Sequence, residues 1–514
     1  MLVAEADNVR HIVVLGGGTA GLLAALAIER HLPQIRVTVV RSSQLGIIGV
    51  GEGTVPSIVR FLHDYLGIDS KTFHQSVRPS LKLGLRFLWG KRSHFHYSFS
   101  PQFSAPVPGL PHAKGWYCND DLAYADICSA LMDEDKACLK RIDGRPRFVG
   151  PFAYHLENER LVGFLETLTD NARIEKIDDV VVRVKQREAG IESLELESGR
   201  SVRADLFVDC SGFRSELLGR SLRERFVDFS NTLLCDRAVA GGWPRTHETY
   251  KPYTTAETMR AGWCWQIEHD ELINRGYVYS SRFIDDDEAE KEFREKCPRL
   301  TETRTIRFRT GVHKRTWVKN VIALGNAAGF VEPLEATAIG MMCDGISLLV
   351  RALQSAHGRL LDIHRDNYNR YVWDSWQTVR DFLALHYKFN DRLNSPFWQA
   401  ANEETTLGRA QHLVDYFRAG GPDFRFLDRE LRTDMFTSEG YLAMLLGQGV
   451  AFNAPTEPLE TERWKQFKID LQRQASAGMD MHQCLSSLRM NGLTKSDMWF
   501  NPVYTTPSPG SAIV

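Results

Sequence analysis

A lysine interrupts an apolar stretch at residues 79–90, PSLKLGLRFLWG. Four apolar side chains alternate as the buried face of a β-strand does: Leu81, Leu83, Leu85 and Phe87. Lys82 and Arg86 then fall on the other face. The ordinary interpretation is a half-buried strand with two solvated charges. The alternative is that Lys82 points into an enclosed active site, and the rest of the chain has to decide between the two.

Glycines at residues 16, 18 and 21 form a second pattern with chemical meaning. These glycines follow an apolar run at residues 12–15 and precede an Ala/Leu-rich helix that ends near Pro33. A second strand at residues 37–40 completes a βαβ unit. The first glycine permits a tight turn, the second lets the backbone approach a pyrophosphate, and the third lets the helix pack on the strand. The helix N-terminus adds free N–H groups and a partial positive charge. We therefore predict a nucleotide at Gly16, Gly18, Thr19, Ala20 and Gly21.

The acid that usually binds the ribose hydroxyls after the second strand is absent, since that strand runs into Arg41. In a nicotinamide enzyme this arginine can pair with the 2′-phosphate of NADP, and in a flavoprotein it can lie against the adenine or the ribose. Two later segments favour FAD. DLFVDCSGFRS places Asp209 at the end of a strand, and VIALGNAAGFVEP resembles the second cofactor-contacting turn of glutathione-reductase-type flavoproteins. The usual Gly-Asp of that turn is Gly325-Asn326 here, and the Asn326 amide can still hydrogen-bond a ribitol hydroxyl.

The bulk properties are those of an ordinary globular protein of 514 residues, with 43% hydrophobic and 25% charged residues. The length exceeds one compact core. We expect a cofactor-binding core at 1–360, with an insert around 90–150, and a helical substrate-covering module at 361–514 with a flexible tail. A formal charge of −2 gives no electrostatic reason to expect nucleic acid or an anionic membrane as a partner. No apolar run approaches the roughly 20 residues that span a bilayer, and no signal-peptide layout opens the chain.

Nine cysteines are scattered singly, without a CxxC pair or a Cys/His cluster at metal spacing. We expect a reduced, cytoplasmic protein without a metal. Cys210, Cys264 and Cys343 lie in apolar or motif-rich contexts and are predicted to pack rather than to act as nucleophiles.

Several long segments, taken together, resemble the flavin-dependent halogenases of the tryptophan-halogenase type, from the first strand to at least residue 398. GVGEGTVPSIVRFLHDYLGI is similar to the loop and helix after the family's second strand, where the loop straps over the flavin. PSLKLGLRFLWG is similar to the family's lysine strand and FVEPLEATAIG to its Pro-Leu-Glu segment, which makes Lys82 and Glu335 the matches for the catalytic pair. VRDFLALHYKFNDRLNSPFW is similar to the helix and turn that follow. The strap residues that the resemblance places on the cofactor are Gly49, Val50, Gly51, Glu52, Gly53 and Thr54.

The resemblance implies that reduced FAD and O2 give a flavin hydroperoxide, which a halide attacks to form hypohalous acid. The family passes this oxidant down an enclosed tunnel to the lysine beside the substrate. Lys82 would hydrogen-bond the oxidant as an ammonium, or carry the halogen as a neutral amine, and Glu335 would polarise the oxidant or take up the ring proton. The backbone N–H groups of Thr337 and Ala338 would hold the halide. On composition alone, Glu335 is simply an acid that a helix N-terminus favours.

Two of the family's motifs, one near the flavin and one near the halide, are altered in this chain. The Trp-x-Trp-x-Ile-Pro signature, which lines the flavin side of the tunnel, reads GWCWQIEHD, so Trp263, Trp265 and Ile267 are kept but Glu268 replaces the proline. This change predicts an altered backbone there or a carboxylate near the flavin. The usual Ser-Thr-Gly after the Pro-Leu-Glu motif is Ala-Thr-Ala at residues 336–338. That predicts a halide site of different size, and whether bromide is then preferred stays open.

The predicted substrate contacts follow from the same resemblance. SHFHYSFSPQF puts Tyr97 where free-tryptophan enzymes have a histidine, and Phe99 matches their phenylalanine. Pro333 is a further tunnel candidate. TSEGYLAMLLGQGVAFNAP is aliphatic where those enzymes have a Trp- and Tyr-rich segment for the amino-acid end, and Tyr441 within it is a candidate lining residue. The pattern favours an open, apolar site for an electron-rich aromatic such as a substituted indole or a phenol.

The fold predicted from these patterns is an α/β (α+β) FAD-binding Rossmann-type module of the glutathione-reductase/aromatic-hydroxylase kind, with a mainly helical C-terminal module. Strand-like runs between residues 160 and 214 are read as a mixed sheet that returns to the first module. Lys82 is expected to face a closed cavity with Glu335, while Arg86 is the ordinary solvated charge.

The predicted activity is FADH2-dependent transfer of bromide or chloride to an aromatic ring. Because only one dinucleotide fingerprint is evident, the reduced FAD is expected from a separate flavin reductase. The chain is expected to be a monomer or a homodimer. An FAD-dependent aromatic monooxygenase and a degenerate, non-catalytic flavoprotein stay open as alternatives.

Overall fold

A six-stranded sheet contains the βαβ unit that the sequence predicts. The structure is a computed structural model that describes residues 7–44, 46, 51–119, 121–140, 145–423, 431, 435–453 and 459–498. The strands lie in the order Ile174–Asp178, Arg36–Arg41, His11–Leu15, Leu206–Asp209, Val321–Ala323 and Trp317–Val318. Neighbouring strands are parallel except for the last pair.

The two faces of this sheet are covered by different partners. Ile12 and Val14 pack in one core with the helices Thr19–His31 and Ala338–Ser355. Val13 and Leu15 pack in a second core with an antiparallel sheet of strands Val181–Arg187, Gly190–Leu196 and Ser201–Arg203. Burial on both faces explains why residues 12–15 form a continuous apolar run. Of the strand-like runs predicted between residues 160 and 214, Leu206–Asp209 joins the six-stranded sheet, while the other runs form this separate layer against it.

A seven-stranded sheet forms the second large layer. Its strands lie in the order Thr303–Arg307, Arg237–Pro244, Leu272–Tyr279, Gly262–Glu268, Thr254–Met259, Gly84–Leu88 and Phe95–Ser98. All neighbours are antiparallel except Thr254–Met259 and Gly84–Leu88, which are parallel.

A small three-stranded sheet joins the two large layers. The strand Ala153–Leu156 lies at its centre and pairs antiparallel with both Glu52–Gly53 and Ser80–Lys82. The prediction of one strand over residues 79–90 is therefore wrong, because the segment is divided between two sheets at Leu83. A Cβ on Gly84 would lie 2.3 Å from the Tyr97 carbonyl oxygen, so only glycine permits this close crossing.

The remaining strands are short. Asp7–Asn8 pairs with Arg359–Leu360, Leu139–Lys140 pairs with Pro146–Arg147, and a three-stranded sheet contains Phe226–Asp228, Gly311–His313 and Gly329–Phe330. The α-helices before residue 361, other than the two already given, are Ser57–Arg60, Ser70–Ser76, Ile127–Asp133, Asn158–Asp170 and Asp286–Lys296. Short 3₁₀ or π turns occupy Phe61–Tyr65, Lys114–Tyr117, Gly212–Arg214, Glu216–Ser221 and Gly325–Ala327.

From Asp362 to Met498, the regular structure of the described residues is helical. The helices are Asp362–Lys388, Pro396–Glu404, Ala410–Gly420, Thr437–Gly447, Thr461–Ser476, Met481–Asn491 and Lys495–Met498. They do not close a core of their own, because Trp398 and Leu442 pack in the same core as Phe87 and Trp263. The boundary at residue 360 stays a prediction. None of the described helices is long and apolar enough to cross a membrane.

Candidate active site

The three glycines of the nucleotide fingerprint have different surroundings. Gly16 has φ +126°, and a Cβ there would lie 2.3 Å from the Cys210 carbonyl oxygen. A Cβ on Gly21 would lie 2.0 Å from the carbonyl oxygen of Gly16. Gly18 is the opposite case, since nothing lies within 4 Å of a Cβ built on it. Two glycines are therefore needed for packing, and the third faces space that a ligand can fill.

The helix that begins at Thr19 presents an unblocked N-terminus to this space. Gly18 is its N-cap, no side chain caps it, and its first turn, which includes Ala20, contains no acid. Its first N–H groups lack intrahelical partners and carry a partial positive charge, as a pyrophosphate requires. The loop fits the diphosphate of FAD. Gly325, with φ +58°, brings the second predicted turn against this helix, because its Cβ would lie 3.2 Å from the Ala20 Cβ.

Two of the predicted cofactor residues have partners within the protein. Arg41 is paired with Glu166, and one of its amino groups lies 3.6 Å from Asp178. Asp209 is fully buried, and its carboxylate accepts from the backbone N–H groups of Leu217 and Leu218 and from Ser211. Asp209 thus holds the turn after its strand, and any contribution to the cofactor site is through that turn.

The strap is anchored by the small sheet. Thr54 is fully buried, and its N–H and hydroxyl both donate to the Tyr154 carbonyl. Gly51 packs closely as well, since a Cβ there would lie 2.3 Å from His269 Nε2. Burial raises the pKa of Glu52 to about 7, and a hydrogen bond from Asn158 opposes the shift. Gly49 and Val50 lie outside the described residues.

Lys82 is fully buried at the end of its strand. Its Nζ donates to the Thr54 carbonyl at 3.1 Å and lies 5.4 Å from the centroid of the Phe99 ring. A Cβ on Gly53 would lie 3.6 Å from Nζ and 3.3 Å from the Ala336 Cβ. Desolvation lowers the pKa of Lys82 to about 7, and the charge of Glu335 opposes that shift. The lysine, the strap and the segment that contains Glu335 therefore converge.

Glu335 precedes the long helix Ala338–Ser355 and is almost fully buried. Its Oε1 lies 2.7 Å from Nε2 of His386. Ala336 takes a left-handed conformation, φ +56°, which glycine adopts readily and residues with a Cβ adopt only rarely. Thr337 is the N-cap of the helix, no side chain caps the helix, and its first turn, which includes Ala338, contains no acid. These N–H groups offer a halide the donors that a helix N-terminus provides.

An aromatic cavity of about 220 Å³ lies on one side of this convergence. Its wall includes Tyr97, Phe99, Phe436, Glu335 and Glu439. A cavity of about 150 Å³ is enough for benzene, so this one has room for a ring of indole size. Tyr97 and Phe99 thus share one wall with Glu335. Tyr441 is buried and packs edge-on against Phe382.

A narrow crevice of about 40 Å³ lies on the other side of the Glu335 segment. It has room for a few waters or an ion. Five predicted residues contribute to its wall: Gly325, Asn326, Pro333, Thr337 and Ala338.

The tryptophan signature lies on the strand Gly262–Glu268 of the seven-stranded sheet. Trp263, Trp265 and Ile267 are buried, and the two indole rings lie 6.1 Å apart. Neither indole N–H has a hydrogen-bond partner among the described residues. All three side chains belong to the core that contains Phe87.

The structure shows how the Glu268 carboxylate is compensated, while its effect on the cofactor side stays a prediction. Its carboxylate is buried and pairs with Arg245, which also donates to the His269 carbonyl. The strand is not interrupted, since Glu268 is in register with Ile273. Glu268 is therefore one member of a buried ion pair with Arg245.

The packing role of the three cysteines stays a prediction: burial raises the pKa of the Cys264 thiol, but its contacts with Cys297 and with Arg275 at 3.5 Å lower that pKa to about 7. Cys264 and Cys343 are buried and free, and the free Cys210 supplies the carbonyl against which Gly16 packs.

Sequence reasoning missed three residues of the site. His386 contacts Glu335, while Phe436 and Glu439 line the aromatic cavity. His386 lies within the segment VRDFLALHYKFNDRLNSPFW, whose resemblance was visible, but helical spacing does not reveal a contact with a residue 51 positions away.

These features define a class of protein: an α/β protein with a glycine-rich nucleotide loop and a buried amine beside an aromatic cavity. Residues 11–462 match the family model described as tryptophan halogenase. The chain is 31% identical over 509 residues to the tryptophan 6-halogenase ThaL of Streptomyces albogriseolus, covering 90% of this chain and 93% of that protein. It is 31% identical over 490 residues to the tryptophan 7-halogenase RebH of Lentzea aerocolonigenes, covering 87% and 91%.

Solved structures agree with these relatives. MibH, described as a lathipeptide tryptophan 5-halogenase, superposes with a TM-score of 0.88 at 35% identity, covering 97% of this chain and 98% of that one. BrvH, a flavin-dependent halogenase from Brevundimonas sp. BAL3, superposes with a TM-score of 0.82 at 28% identity, covering 94% and 99%. The chain belongs to the tryptophan halogenase family, and it is a flavin-dependent halogenase.

Proposed function

We propose that the protein uses FADH2, supplied by a separate flavin reductase, to install bromide or chloride on a neutral, electron-rich aromatic ring. Indole-type rings are the main candidates and phenols the second. The observation that carries the proposal is the buried amine of Lys82, held between the strap carbonyl of Thr54 and the Phe99 ring. A lysine without solvent is costly for folding, which points to a chemical task.

The chain's own residues have the following roles in this proposal. When bound, reduced FAD with O2 and halide supplies hypohalous acid. The N–H groups of Thr337 and Ala338 hold the halide at the helix N-terminus. Lys82, with a pKa of about 7, has both forms available near neutral pH, an ammonium that hydrogen-bonds the oxidant and an amine that can carry the halogen. Glu335 accepts the proton that the ring loses.

The aromatic cavity supports a substrate without a free carboxylate at the ring. The carboxyl groups on its described wall are those of Glu335 and Glu439, and Glu335 already contacts His386. Glu439 accepts from the backbone N–H groups of Gln102, Phe103 and Ser104. Among the described residues, this wall offers no cation for an amino-acid carboxylate, whereas Tyr97 and Phe99 offer ring faces. The similarity to MibH, described as a lathipeptide tryptophan 5-halogenase, is consistent with such a site.

The test is a mass-spectrometric assay of the purified protein with FAD, a flavin reductase, NADH and either bromide or chloride. The substrates are indole, N-acetyl-tryptophanamide, a tryptophan-containing peptide, free tryptophan and phenols, with Lys82→Ala in parallel. We expect a halogen isotope doublet on the neutral indoles, weaker or absent on free tryptophan, and lost in the variant. A hydroxylated product without halogen would support the monooxygenase alternative, and preferred turnover of free tryptophan would overturn the substrate class.

A further inference from the structure

His386 contacts Glu335 but is not among the described residues that line the aromatic cavity. It is located in the last turn of the helix Asp362–Lys388 and has no exposed surface. The rings of Phe87 and Phe382 lie 5.3 Å and 5.2 Å from its imidazole. This enclosure fixes the ring, so its two nitrogens have defined partners.

Those partners determine where the protons of His386 lie. Nδ1 is 3.1 Å from the carbonyl oxygen of Phe382, which can only accept, so Nδ1 carries a hydrogen. In a neutral imidazole Nε2 would then be a bare acceptor. Nε2 faces Glu335 Oε1 at 2.7 Å, and two bare acceptors repel at that distance. One further proton therefore lies between Glu335 and His386.

The surroundings favour the histidine as the carrier of that proton. The C-terminal turn of a helix carries a partial negative charge, which stabilises a protonated histidine, and this helix is 27 residues long. Among the described residues, Lys82 acts on Glu335 through its charge, and Glu439 shares the cavity wall with Glu335. Lys82 favours a carboxylate at Glu335, while Glu439 is held by backbone N–H groups.

We propose that His386 is an imidazolium that positions Glu335 as a carboxylate, with Oε1 held and the second oxygen left for the substrate ring. This inference rests on the proposed role of Glu335 as the base. The halogen of hypohalous acid forms a bond to a ring carbon, and the O–halogen bond breaks. The departing hydroxide takes a proton from the Lys82 ammonium and becomes water. The C–H bond at that carbon then breaks, its electron pair returns to the ring, and its proton goes to Glu335.

His74 provides a matched control. It is also a buried helical histidine whose Nδ1 hydrogen-bonds the carbonyl four residues earlier, at 2.6 Å, but its Nε2 has no hydrogen-bond partner among the described residues. His74→Gln therefore reproduces the loss of the backbone contact without any change at Glu335.

The first measurement needs neither cofactor nor turnover. In FAD-free protein labelled with 15N-histidine at pH 7, we expect one side chain with both ring nitrogens protonated, absent in His386→Gln and present in His74→Gln. In Glu335→Gln, His386 should change to one protonated and one bare nitrogen. If His386→Gln does not fold, this change in Glu335→Gln identifies the signal. A bare Nε2 in the wild-type protein would place the proton on Glu335 and overturn the inference.

The second measurement separates positioning from structural support. His386→Gln keeps an N–H for Glu335 but cannot carry a charge. We expect its kcat for indole bromination to fall by about 10- to 100-fold, with KM within about threefold. His74→Gln should keep the wild-type kcat. A wild-type kcat in His386→Gln would overturn the positioning role, whereas a wild-type kcat in Glu335→Gln would instead refute the proposed role of Glu335.

Discussion

Lys82 and Arg86 lie four residues apart in one segment, and the protein treats their charges in opposite ways. The Lys82 ammonium is fully buried, with the Thr54 carbonyl as its described hydrogen-bond acceptor. The Arg86 guanidinium is half-buried and has several partners. It donates to His96 Nε2 at 2.8 Å and to the Met132 carbonyl at 3.1 Å, and it stacks over Tyr253 at 4.2 Å. The expectation that Arg86 is a solvated charge is wrong.

Three side chains near Arg86 are arranged as metal ligands often are. Ligand atoms of His94, His96 and Asp133 lie within 4.8 Å of one another. Because Arg86 donates to His96 Nε2, the proton of the neutral His96 lies on Nδ1, which faces Asp133 at 3.6 Å. His96 then presents a proton to the cluster instead of a lone pair. Charges that are fully paired in this way stabilise a fold, whereas the poorly compensated amine of Lys82 is suited to chemistry.

The largest expected effect that tests this comparison is the loss of activity in Lys82→Met. The variant keeps most of the stem volume but has no amine, so indole halogenation should fall by at least about 10³-fold. FAD binding, measured by flavin fluorescence, should stay within about twofold because the nucleotide loop is unchanged. Residual halogenation within tenfold of wild type would contradict the role of Lys82.

Arg86→Met should lower the stability of the protein but leave its activity largely unchanged. It leaves His96 Nε2 without its donor and removes the guanidinium that lies 3.7 Å from Asp133, so the free energy of unfolding should fall by about 3 kcal/mol, measured in urea. Activity per folded molecule should stay within about threefold. Arg203→Met is the control, because Arg203 is exposed and paired only with Glu192 in the described structure, and it should change stability by less than about 0.5 kcal/mol. A loss of turnover in folded Arg86→Met would mean that the surroundings of Arg86 also contribute to catalysis.

The smallest effect is a pH dependence of stability that Lys82 alone contributes. Its pKa is lowered to about 7 in the folded protein, while an unfolded lysine titrates near 10.4. Between these values the unfolded state binds one more proton, so the contribution of Lys82 to stability rises with pH. The wild type should gain about 2 kcal/mol relative to Lys82→Met between pH 7 and pH 9. Parallel stability curves for the two proteins would mean that Lys82 is not desolvated.

Sequence patterns were sufficient to predict those elements of the fold that depend only on residues close together in the chain. The βαβ unit follows from an apolar run, a glycine turn and a helix, which are all contiguous. The separation of Lys82 from Arg86 into two sheets was not predicted, because alternation of apolar residues looks the same in one strand or two. The partner strand Ala153–Leu156 is about 70 residues away, and it decides where the first strand ends.

By itself, the sequence determined the nucleotide loop, the family resemblance and the candidate pair Lys82 and Glu335. Tertiary structure alone decided the electrostatics of these groups. Whether a charge is solvated, paired or buried with little compensation depends on partners elsewhere in the chain, such as His386 for Glu335 and His96 for Arg86. Desolvation and pairing set the pKa of a side chain, and neither is a property of the residue's own position in the sequence.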